Sequence, residues 1–68
     1  MKKITFTDFY ATLDVIERAR LAEAANTSEA YLYQLAKGIR KPGAAVSARL
    51  KRADRRITDS MLRPDLYA

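Results

Sequence analysis

Residues 21–42 read LAEAANTSEAYLYQLAKGIRKP, and the fold is decided in this stretch. Leu21, Ala22 and Ala25 close a run of good helix formers. Asn26 stops that run, because Asn is among the few residues besides Gly that enter the left-handed region cheaply. Ser28 is an N-cap for a second helix, with Glu29 in the positive field of its first turn. That helix covers Glu29–Lys37, buries Leu32, Leu35 and Ala36, and ends on Gly38. Two short helices joined by Asn26-Thr27-Ser28, the first sealed by alanine and the second polar on its outer side, make helix-turn-helix geometry. Ala22 is the expected crossing point, where only a small side chain fits. Purely structural helical hairpins use alanine in the same way, so the pattern alone leaves both readings open.

Upstream, Phe6, Phe9, Tyr10 and Leu13 stand at i, i+3, i+4 and i+7, on one helical face. With Thr7 as N-cap and Asp8 in the first turn, they predict helix 1 over Asp8–Leu13. Asp14 caps helix 2, Val15–Ala25, with Ile16, Leu21, Ala22 and Ala25 facing inward. Downstream of Pro42, Val46, Leu50, Ala53 and Ile57 repeat at i, i+4, i+7 and i+11 and predict amphipathic helix 4. Its Arg49, Lys51 and Arg52 read mainly as a solvated basic face. Thr58 caps a last short helix through Leu62, which Pro64 ends. No segment alternates with period two, so the expected fold is all-α, a bundle of about five short helices forming a single domain over residues 1–68.

Composition narrows the function. The chain has no Cys and no His, which removes disulfides, thiolate zinc sites, Cys nucleophiles and imidazole bases. Its two glycines are isolated and form no phosphate cradle, so neither enzymatic activity nor a metal or cofactor is expected. The apolar runs fall far short of the roughly 18 residues a bilayer span needs, and Met1-Lys2-Lys3 leads into no signal-peptide core, so a cytoplasmic location is expected. Twelve alanines make the core thin. Residues 1–36 carry four basic and five acidic side chains, net −1, whereas residues 37–68 carry nine and three, net +6. A basic half on an otherwise balanced domain points to a polyanion, nucleic acid or an acidic membrane surface, or to a merely solvated face. The apolar stripe of helix 4 lacks the bulky aromatics of a membrane-surface helix, and core packing explains it better.

The string from Leu21 to Pro42 resembles the helix-turn-helix domain of the phage Cro and lambda-repressor family. The match runs through its Leu-Ala opening, Asn26, Ser28, the spaced Leu32 and Leu35, and the closing Gly38-x-Arg40-Lys41-Pro42. The tail ITDSMLRPDLY also looks like the end of short Cro-like regulators and YdaS-like antitoxins of prophages. Two positions depart from the pattern: Asn26 stands where glycine is usual, and Arg55-Arg56 where relatives often have Gly-Gly.

The resemblance implies a lambda-repressor-like fold and a sequence-specific regulator of transcription, a repressor of phage or prophage origin, binding double-stranded DNA. Its third helix would lie in the major groove. Gln34 would then contact adenine, Ala30 a thymine methyl, and Tyr33 a base edge or phosphate. Glu29 would accept from cytosine or only serve the helix dipole, and Tyr31 would read a base or cover the core edge. Arg18, Ser28, Lys37, Arg40 and Lys41 are the implied phosphate anchors. Since one such helix reads only a few base pairs, a homodimer on a pseudo-palindromic operator is expected. Met61, Leu62, Leu66 and Tyr67, which exceed what a thin core absorbs, are its expected interface, unless they fold back on helix 1. The alternative is an antitoxin that binds DNA and also grips a toxin through this C-terminal segment.

Overall fold

Thr5 opens the first helix. The computed structural model describes residues 4–67, and in it α1 runs Phe6–Ala11, with the Thr5 side chain accepting the Asp8 backbone N–H at 3.1 Å. The helix therefore starts before the expected Thr7 cap and leaves that hydroxyl free to donate to the Ala36 carbonyl. It also stops before Leu13, because Asp14 must be extended to cap the next helix. Leu13 remains buried from the turn, beside a Phe6–Tyr10 stack with centroids 5.9 Å apart.

Helix α2, Val15–Ala24, begins with a reciprocal capping box between Asp14 and Glu17. Leu21, Ala22 and Ala25 are buried, but Ile16, expected inside, is 62% exposed. At 3.6 residues per turn, Ile16 falls on the far side of the helix from Leu21 and Ala25. The inward positions before that stripe hold Arg18 instead.

Asn26 at φ 54 turns the chain into α3, Glu29–Ala36, capped by Ser28 through the Tyr31 N–H at 3.1 Å. Leu32 is wholly buried, with Leu35 and Ala36 beside it, and Tyr31 is partly buried against the core, so it covers the core edge. The helix ends in a Schellman turn: Gly38, at φ 76, donates to the Leu35 carbonyl at 3.2 Å, and Ile39 to that of Gln34 at 2.9 Å.

Helix α4, Ala44–Ala53, buries Leu50 completely and stops earlier than the apolar repeat predicts. Asp54 is extended, and its carboxylate accepts the Arg56 backbone N–H at 2.9 Å, an Asx-type turn that competes with further helix. Ile57 thus reaches the core, 3% exposed, from a turn and not from α4. Thr58 caps α5, Asp59–Leu62, which ends ahead of Pro64 as expected.

Helix α1 packs on α3, α2 on both α3 and α4, and α4 on α5. All five contribute to one apolar cluster, which includes Met61 and Leu62, 7% and 6% exposed. Those two side chains are core, which corrects their expected place at a dimer interface: α5 packs on α4 and buries both in the common cluster. Leu66 and Tyr67 stay 61% and 51% exposed. Among the described residues there is no strand, and no helix is long and apolar enough to cross a membrane.

Candidate nucleic-acid interface

With Leu32, Leu35 and Ala36 locked inward, helical geometry turns Ala30, Tyr33, Gln34 and Lys37 outward together. Ala30 and Lys37 are exposed, Tyr33 is 50% exposed, and Gln34 is half-buried. The Lys37 ammonium lies 5.4 Å from the centroid of the Tyr33 ring, a cation–π contact that holds both side chains over the helix surface. Glu29 is exposed in the first turn, where its charge favours the helix N-terminus. Ser28 uses its oxygen as the cap, so its hydroxyl hydrogen and the α3 N-terminus remain at the surface.

Past the helix, Arg40 and Lys41 are exposed. Arg40 donates its Nε–H to Gln34 Oε1 at 2.6 Å, which joins an expected anchor to an expected reader. Lys41 pairs with Asp65 at 3.3 Å, but with 68% and 39% of the two side chains exposed this bond is weak. Lys37, Arg40 and Lys41 thus cluster at one end of the α3 face. Three of the other six basic side chains in residues 37–68 are paired: Lys51 with Asp59 at 2.9 Å, Arg56 with Asp54 at 2.7 Å and Arg63 with Asp65 at 2.9 Å. The Arg56 hydrogen bond holds the Asp54 carboxyl below its usual range, and Arg63, with help from Lys41, lowers that of Asp65.

Arg18 departs from its expected role. Its guanidinium donates to the Tyr10 carbonyl at 3.0 Å and lies 4.3 Å from the Tyr10 ring centroid. It fastens α2 to α1, while its Nε is buried without a hydrogen-bond partner among the described residues. Burial raises the Tyr10 hydroxyl pKa, the Arg18 charge opposing that and the Glu29 charge adding to it. A cleft lined by Thr7, Tyr10, Arg18, Tyr33 and Lys37 shares its last two residues with the α3 face, so Arg18 sits at the margin of the surface, already engaged.

Two supports have no signature in the sequence. Arg49 Nε donates to the Ala25 carbonyl at 2.9 Å, and the Thr7 hydroxyl to the Ala36 carbonyl. Each satisfies an orphan carbonyl at a helix C-terminus, of α2 and α3 respectively, from a distant element. Together they fix the α2–turn–α3 unit against α4 and α1. No protein-family model, curated protein or solved structure matches the chain. Among the described residues, no three His, Cys, Asp or Glu side chains gather as metal ligands. What the face offers is hydrogen-bond donors, a methyl group and an aromatic hydroxyl on α3, with three cations at and just past its C-terminal end.

Proposed function

We propose that this chain is a sequence-specific double-stranded DNA-binding regulator of transcription, acting as a Cro-like repressor of phage or prophage origin in the bacterial cytoplasm. The observation that carries the reading is the α3 outer face: Ala30, Tyr33, Gln34 and Lys37 side by side, with Arg40 and Lys41 at its end, on a helix whose other side is locked into the core. An α-helix fits the major groove, where side chains meet base edges while cations at its end meet phosphates. The resemblance of residues 21–42 to the Cro and lambda-repressor family supports the same assignment, including the insertion of α3 as the recognition helix.

Ala30 meets a thymine methyl, Tyr33 and Gln34 meet base edges, and Ser28, Lys37 and Lys41 hold phosphates. Glu29 serves the helix dipole. The working form is a homodimer on a pseudo-palindrome with half-sites about 10 bp apart. Leu66 and Tyr67 are the exposed apolar pair that joins the two copies. The test is retardation of a duplex taken from upstream of the gene by the purified chain alone. Retention that survives excess unrelated duplex supports the proposal, and failure to retain any duplex rejects it.

A further inference from the structure

The Schellman turn at the end of α3 also sets a side-chain pair. Gly38 at φ 76 folds the chain back so that the N–H groups of Ile39 and Arg40 both point at the Gln34 carbonyl, at 2.9 and 3.4 Å. The Arg40 side chain is thereby carried over the side chain of Gln34, where Nε–H meets Oε1 at 2.6 Å. The orientation of the amide follows from the chemistry, because an arginine Nε only donates and its partner must be the oxygen.

We propose that Gln34 and Arg40 act as one reading unit and that the base it selects is guanine, not adenine. This rests on α3 being the helix that enters the major groove. A glutamine reads adenine with one donor, to N7, and one acceptor, for the N6 amino group. In Gln34 that acceptor already receives a charge-assisted hydrogen bond. An adenine amino group approaching the remaining lone pair of Oε1 would bring its hydrogens against the guanidinium, which has five donors and no acceptor. With Oε1 engaged, the pair has donors to offer a base, Nε2 of Gln34 and the Nη groups of exposed Arg40. Guanine answers with two acceptors on one edge, N7 and O6. Arg40 is thus a positioning residue for the reader as well as a contact in its own right, and the split between readers and anchors shifts by one residue.

The experiment is enrichment of duplexes from a random pool by the wild-type chain, Gln34→Ala and Arg40→Ala, with circular dichroism to verify that each is folded. Both substitutions lie outside the apolar core. The wild type is expected to enrich guanine at the position that Gln34→Ala relaxes. Arg40→Ala frees Oε1 and is expected to move that one position toward adenine, by about tenfold in relative enrichment, while the other positions keep their bases. Adenine at that position with the wild type, an unchanged base with Arg40→Ala, or no position altered by Gln34→Ala overturns the pairing and leaves DNA binding standing. A wild type that enriches nothing overturns it together with the proposed function.

Discussion

Two arginines that charge counting assigns to phosphate or to solvent are committed to carbonyl oxygens inside the fold, Arg18 on Tyr10 and Arg49 on Ala25. Their roles were illegible because the partners are set by tertiary packing; nothing near Arg49 in sequence announces an acceptor 24 residues away. Thr7 is a parallel case: its residue type and place suit a local cap, but Thr5 caps α1 and the Thr7 hydroxyl serves a distant helix end. The exposed α3 positions, by contrast, were legible, since they follow from the placement of Leu32, Leu35 and Ala36 alone. Arg49→Ala removes a charge-assisted bond and orphans the Ala25 carbonyl, so it should cost roughly 1–3 kcal/mol in urea unfolding. A melt identical to the parent would show that the carbonyl finds another donor. On DNA, Lys41→Ala is expected to weaken all sequences about equally, whereas Gln34→Ala should cost roughly 1–3 kcal/mol on the preferred site only. Binding curves on preferred and scrambled duplexes separate the two.

Capping residues mark the starts of α2, α3 and α5. Asp14, Ser28 and Thr58 each cap the helix that follows, and Asn26 and Gly38 take the positive φ that their residue types permit. Apolar spacing was less reliable where two elements share one core: Ile57 continues the α4 repeat yet is delivered by a turn, because Asp54 offers the backbone an alternative partner. Ala22 is buried on α2, which packs against α3 and α4 at once, so Ala22→Leu should overpack that contact and cost about 1–3 kcal/mol or more. Thermal unfolding decides it, and a variant as stable as the parent would place the helix crossing elsewhere. Asp14→Ala, which removes one half of the capping box, is expected to lower stability by about 0.5–2 kcal/mol without altering DNA specificity.

For the whole molecule, acid should act through the paired carboxylates. Asp54 and Asp65 have folded pKa values below the ordinary 3.8, so the unfolded chain binds protons more readily. Their stabilisation is present above about pH 4 and is lost as pH falls through the folded values. With no His or Cys side chain to titrate, Tm should stay flat from about pH 8 to 5 and fall below about 4. A transition near pH 6.5 would contradict this. The C-terminal segment was half legible: the sequence held more apolar residues than a thin core needs, but only α5 packing reveals that Met61 and Leu62 go inside while Leu66 and Tyr67 stay out. Leu66→Glu leaves Asp65 and its ion pairs in place, so it should abolish cooperative binding to a two-half-site duplex with Tm unchanged. Retained cooperativity would remove Leu66 from the interface.

The surface proposed to engage duplex DNA is the outer face of α3 with the cations at its end, Lys37, Arg40 and Lys41. Its most direct test is the affinity of the purified chain for one duplex across a range of salt concentrations. At about −0.9 per phosphate neutralised, with Lys37 and Lys41 on phosphates, log affinity is expected to fall linearly with log salt, with a slope of about −2 per chain, reduced by about one in Lys41→Ala. An affinity indifferent to salt, or a slope that Lys41→Ala leaves unchanged, would contradict it.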